Sequence, residues 1–120
     1  MIADDSFSAA RQLELTRSRS CVSRAYYAAY STAVAALIDV GVTMPARGNP
    51  SHDKVPVLMR QHLSRLTLVR RSNAAAVLSL LYRLRIIADY QPHLVLDRLD
   101  ARQALGFMVQ LFRDAKEARQ

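Results

Sequence analysis

Between Val22 and Val40 the apolar residues Val22, Tyr26, Ala29, Ala33, Leu37 and Val40 recur at intervals of three and four. That period places them on one stripe of a helix. Much of the stripe is alanine, so a neighbouring helix can approach closely. Gly41 supplies a C-terminal stop. The helical period governs most of the chain, and "HLVLD" is the only short stretch that alternates as a strand would. The pattern predicts an all-α fold: an up-and-down antiparallel helical bundle of four to five helices, in a single domain over residues 1–120.

Five segments are expected. The first runs from about Asp5 to Arg19, with Asp4, Asp5 and Ser6 as candidate N-caps, and the second from about Ser20 to Val40. "GVTMPARGNPS" reads as a loop. Ser51 is expected to cap a third helix, His52 to Leu66, in which Pro56 falls in or near the first turn. A fourth begins at Ser72 or Asn73 and ends near Tyr90, stopped by Pro92. Its Val77, Leu81, Leu84 and Ala88 face the core. Asp97 caps the fifth, from about Arg98 to Ala118. Ala101, Leu105, Met108, Phe112 and Ala115 are its expected buried stripe.

Composition narrows the function. Cys21 is the lone cysteine, which excludes an intrachain disulfide and suits a small buried residue. Asp4 and Asp5 stand where a secretory signal would be basic. The longest uncharged stretch, Ala25 to Ile38, is 14 residues and too short to cross a bilayer. A cytoplasmic location without membrane attachment is the expectation. The net charge of +7 is unevenly placed: residues 1–88 hold 12 basic and 5 acidic side chains, and residues 89–120 hold 5 of each. A basic half attracts polyanions such as RNA. Arginines also simply solvate helix faces, and charge alone does not choose between the two.

Several chemistries lack their residues. The histidines are His52, His62 and His93, with no pair at i, i+4, no HExxH and no cysteine pair. Glu14 and Glu117 are the only glutamates, too few for the Glu-x-x-His motifs of a bundle di-metal centre. Three scattered glycines make no phosphate loop. No metal and no cofactor are expected.

Two stretches carry polar chemistry. In "SRAYYAAY", Ser23 to Tyr30, Tyr26 and Tyr30 share a face while Tyr27 turns about 100° away. Tyrosines so spaced sit at a core edge, or offer a stacking surface for bases beside Arg24. In "LYRLRIIADYQPH", Leu81 to His93, Arg85 lies at the boundary of the core-facing stripe and Asp89 is four residues on. As a helix-end ion pair, the two are worth only a few tenths of a kcal/mol when exposed.

Three segments in order resemble the HEPN domains, small helical proteins often encoded beside minimal nucleotidyltransferases. "SRAYYAAYSTAVAALIDVG" resembles the family's signature helix, and "SHDKVPVLMRQHL" the segment leading the next. "LYRLRIIADYQP" resembles the helix carrying the active arginine. With the last amphipathic helix, the likeness spans nearly the whole chain. It implies a bundle that forms a homodimer. In catalytic members an Arg, four to six residues and a His from each subunit meet at the seam and cleave RNA without a metal. The ribose 2′-OH attacks the adjacent phosphate, a histidine moves protons and arginine holds the phosphorane charge.

Arg85 matches that arginine, but after four residues comes Tyr90, preceded by Asp89. The next histidine, His93, lies past Pro92. A tyrosine titrates near 10 and an aspartate near 4, so neither is a ready base at pH 7. "RGNPSH", Arg47 to His52, also fits the spacing, but in a Gly/Pro loop, and reads as chance; His52 is expected to pack or bond at the start of the third helix.

The resemblance therefore implies Arg85, Asp89, Tyr90 and His93 as catalytic candidates. Ser23, Arg24, Tyr26, Tyr27 and His52 are candidates for binding RNA or a nucleotide. It leaves open a metal-independent endoribonuclease, the toxin-type component of a toxin–antitoxin pair, or a non-catalytic module docking a nucleotidyltransferase or antitoxin partner.

Overall fold

Four helices form among the described residues: α1 (Ile2–Asp39), α2 (Lys54–His62), α3 (Leu68–Tyr90) and α4 (Arg98–Arg119). The computed structural model describes the backbone of residues 2–44 and 51–119 and the side chains of residues 15–44 and 51–119. The Arg47 of "RGNPSH" and the side chains of Asp4, Asp5 and Ser6 lie outside that description.

The two helices expected over Asp5–Arg19 and Ser20–Val40 are one. Nothing between Arg19 and Ser20 interrupts a helix, since neither glycine nor proline stands there. At about 1.5 Å per residue, α1 sets the long dimension of a molecule measuring 61 × 29 × 17 Å. It ends as its glycine predicts. Gly41 takes φ 97°, and its N–H donates to the Ile38 carbonyl while that of Val42 donates to Leu37, both at 3.0 Å. This pairing satisfies carbonyls that the helix end would otherwise orphan.

The later boundaries also shift. α2 is shorter than expected, ending at His62, with Pro56 buried in its first turn. Ser51 starts that turn through its backbone carbonyl, which accepts from Lys54 at 3.0 Å; Asp53 holds the cap position without a side-chain cap bond. α3 begins at Leu68 rather than at Ser72 or Asn73, because Thr67 is the N-cap and its hydroxyl accepts from the Arg70 N–H at 3.2 Å. At α4, the Asp97 carboxylate accepts from the N–H groups of Leu99 and Asp100. The Asp100 carboxylate accepts from the Asp97 N–H at 3.0 Å, a reciprocal capping box.

α3 runs antiparallel to α1, as Ser23 opposite Asp89 and Tyr27 opposite Arg85 show. α4 runs antiparallel to α3, with Asp114 opposite Arg70. α1 and α4 are therefore parallel neighbours, joined at their C-terminal ends by Arg119 and Asp39 at 3.0 Å. α2 packs mainly on α3. The α1 stripe is buried as expected, except Val40, which is half-buried. Val77 and Leu81 of α3 are buried, and Leu84 and Ala88 pack partly covered against the core. Cys21 is half-buried against it too.

The face of α4 differs from expectation. Ala101 and Ala115 are buried, but with Ala104, Leu111 and Ala118, while Leu105 and Phe112 are exposed and Met108 is partly covered. The stripe is turned by about one residue. Most of the buried α4 positions are alanine, and small side chains let packed helices approach closely.

Candidate functional site

Antiparallel packing of α1 on α3 sets one polar cluster across the helix pair. α1 contributes Ser23, Tyr26 and Tyr27; α3 contributes Tyr82, Arg85, Asp89 and Tyr90; His52 arrives from the turn before α2. Arg85 is at the centre. Its side chain is only 12% exposed, and its Nε lies 2.9 Å from Asp89 Oδ2. The N–H does not point along that line, so the contact is an ion pair while Nε lacks a well-directed hydrogen bond. An Nη2–H donates to the Tyr27 hydroxyl at 2.5 Å. The guanidinium carbon stands 5.1 Å from the Tyr27 ring centre and 5.3 Å from that of Tyr90, both within cation–π range.

Burial alone would weaken the charge of Arg85, but Tyr27, Tyr90 and Asp89 outweigh it and raise its pKa. The group is a permanent cation held in place. Ser23 reaches Asp89 Oδ2 at 3.4 Å, linking the α1 wall to the same carboxylate.

Behind Arg85 lies an aromatic cage. Tyr26 is fully buried, and its hydroxyl bonds to His52 Nδ1. The His52 ring stacks on Tyr82, centres 4.9 Å apart, with Tyr30 at 5.1 Å. Burial first, then the neighbouring tyrosines, raises the Tyr26 pKa, so its phenol stays protonated. Burial, and secondly the charge of Arg85, lowers the pKa of His52 against the weaker pull of Asp53. The imidazole is therefore neutral at pH 7.

Two open grooves flank the cluster. One, of about 520 Å³, brings Ser23, Arg24 and Asp89 to a common wall beside Arg19. The other, of about 480 Å³, runs along α1 from Tyr27 to Ile38 with His52 at its edge. Arg24 is exposed. His93 sits exposed in the turn after α3, and none of the contacts gathering Arg85 includes it. Among the described residues no three His, Cys, Asp or Glu side chains converge as metal ligands.

Arg19 is a structural partner that the sequence pattern missed. Its guanidinium donates to the carbonyls of Ile87 at 2.9 Å and Ala88 at 3.1 Å, and also bonds that of Leu94. It thereby closes the C-terminal end of α3, which carries Asp89 and Tyr90. Nothing in spacing marks it, because its partners are backbone atoms about seventy residues on. Tyr82 was also missed as a partner of His52, although it lies one turn before Arg85.

The family model described as HEPN domain matches residues 2–118. The chain belongs to the HEPN domain family. No curated protein and no solved structure matches it. In this HEPN domain Arg85 and Tyr90 both lie on the last turns of α3. His52 reaches the cluster from the connection between α1 and α2, bonded to Tyr26 and stacked on Tyr82. No helix among the described residues is long and apolar enough to cross a membrane.

Proposed function

We propose that this HEPN domain binds RNA or a nucleotide by engaging a phosphate at Arg85. The observation that carries the reading is the posture of that guanidinium, oriented by Tyr27 and Tyr90 and matched by a single carboxylate, Asp89. A phosphate competes for such a fork through paired charge-assisted hydrogen bonds. Arg24, exposed on the neighbouring wall, adds attraction for the next phosphate.

The finer reading is metal-independent cleavage. The 2′-OH attacks the phosphorus, the bond to the 5′-oxygen breaks, and Arg85 stabilises the charge on the phosphorane. For proton transfer the cluster offers the neutral imidazole of His52, which takes the 2′-OH proton and returns it to the leaving 5′-oxygen, ahead of Asp89, Tyr90 and the exposed His93. Incubation with labelled RNA in excess EDTA, read for both binding and cutting, tests the proposal. Wild type should shift the RNA, and Arg85→Ala should lose at least tenfold in affinity while still folding, as a cooperative thermal transition shows. Equal binding by the two proteins would overturn it.

A second reading is an interaction module, favoured by Leu105, Val109 and Phe112, which lie exposed along one face of α4. An apolar stripe of that kind suits a second copy of the chain or a docked protein, such as a nucleotidyltransferase or the other component of a toxin–antitoxin pair. Sedimentation of the pure protein separates these. A monomer that binds no RNA and is captured only with a partner would favour this reading over the first.

A further inference from the structure

We propose that the groove beside Arg85 is a subsite for one unpaired nucleobase. This rests on the reading that a nucleotide phosphate sits at Arg85, and it names what lies next to that phosphate. The groove is walled by Tyr27, Ser31, Val34, Ala35 and Ile38 of α1, with His52 at the edge. The α1 positions recur at three and four, so they form one outward face.

Apart from Tyr27, which bonds Arg85, and Val34, which packs partly covered against the core, that face is largely open. Tyr27 is 44% exposed and Ile38 53%, so large apolar surface stands open to water where a helix would ordinarily be polar. The volume of about 480 Å³ lies in the range of small-molecule sites. The lining also suits a base: aromatic rings for its face, aliphatic side chains for its edge, and the Ser31 hydroxyl for a polar group.

Tyr27 commits the groove to this occupant. Its hydroxyl accepts from Arg85 while its ring lines the groove. A phosphate seated on the guanidinium therefore has its own nucleoside at the entrance. The partners of Arg85 fix where the strand is held, and the α1 face receives the base that follows.

Fluorescence anisotropy with two oligomers in EDTA tests the subsite: a 2′-O-methyl penta-adenylate, which resists cleavage, and the same oligomer with its central bases removed. Both carry the same phosphates. Wild type should bind the base-bearing oligomer roughly tenfold more tightly. Ala35→Leu narrows the groove without touching Arg85, and Ser31→Leu does the same from an exposed position should the first variant unfold. Either should erase the preference and leave affinity for the abasic oligomer unchanged. Arg85→Ala should weaken both oligomers alike.

Equal binding of the two oligomers by wild type overturns the subsite while leaving the phosphate site standing. So does a preference that survives in folded Ala35→Leu and Ser31→Leu. Failure to bind either oligomer overturns the phosphate reading and the subsite together. Calorimetry with AMP against ribose 5-phosphate then identifies the source. Tighter binding of AMP assigns the subsite to free nucleotides as well as strands; a preference seen only with oligomers assigns it to a strand.

Discussion

The guanidinium of Arg19 donates to the carbonyl of Ile87 at 2.9 Å, tying the middle of α1 to the last turn of α3. A helix ends with carbonyls that lack intrahelical partners. One cation here serves several of them, and complements the negative end of the helix dipole as well. The turn so fixed carries Asp89 and Tyr90, which flank Arg85. The geometry of the candidate site thus depends on a residue that does not belong to it.

Removing that cation should cost stability and site order together. Arg19→Ala is expected to lower unfolding stability by about 2 kcal/mol, the scale for charge-assisted hydrogen bonds to partly buried groups. Arg19→Lys should recover only part, because an ammonium cannot fork across neighbouring carbonyls. Urea denaturation followed by circular dichroism measures the loss. Equal midpoints for wild type and Arg19→Ala would show that the cap contributes nothing.

The neutral state of His52 makes stability depend on pH. Its folded pKa lies below the ordinary value of 6.5, so between the two values the unfolded chain binds more protons. Stability from this group is complete above about 6.5 and is lost as pH falls towards the folded value. His52→Gln does not titrate. The advantage of wild type over that variant should shrink as pH drops from 7.5 to 5 in thermal melts. Arg85→Ala removes the neighbouring charge that helps to lower the pKa and should let His52 titrate nearer its ordinary range, read by NMR of the ring protons.

The observed face of α4 yields an opposed pair of outcomes. Ala104 is fully buried, so Ala104→Leu should overpack the core around α4 and cost about 1–3 kcal/mol. Leu105 is 41% exposed, and Leu105→Ala should cost well under that. A larger loss for Leu105→Ala than for Ala104→Leu in chemical denaturation would restore the stripe expected from hydrophobicity.

Arg70 holds two carboxylates of unequal worth. Asp114 accepts at 2.8 Å with its side chain 12% exposed, whereas Glu117 pairs at 2.5 Å but is 53% exposed. Burial strengthens the first and solvent screens the second. Asp114→Ala should lower the melting temperature by several degrees, and Glu117→Ala should leave it nearly unchanged. Repeating the melts in 1 M NaCl should shrink any Glu117 effect and preserve that of Asp114.

Much of this was legible in the chain. The period of Val22 to Leu37, the stop at Gly41 and the cap at Asp97 are local signals, and local physics reads them. Helix geometry alone sets which residues share a face, and cap chemistry sets where a helix ends. The face of α4 and the start of α3 were not legible. The face of α4 turns on packing, which buries Ala104 and leaves Leu105 exposed; the start of α3 escapes a hydrophobic period because its first turn exposes the apolar Leu68 and Val69 after the Thr67 cap.

The sequence by itself determined an all-helical chain of the HEPN family with a basic half and an arginine on the helix before Pro92. Tertiary structure decided which residues meet that arginine. Tyr27 is fifty-eight residues away and Arg19 grips the same helix from further still. His52 joins the cluster through Tyr26, where His93, nearer in sequence, does not. Proximity across a bundle is set by helix direction and packing distance, and neither is written in the spacing of one segment.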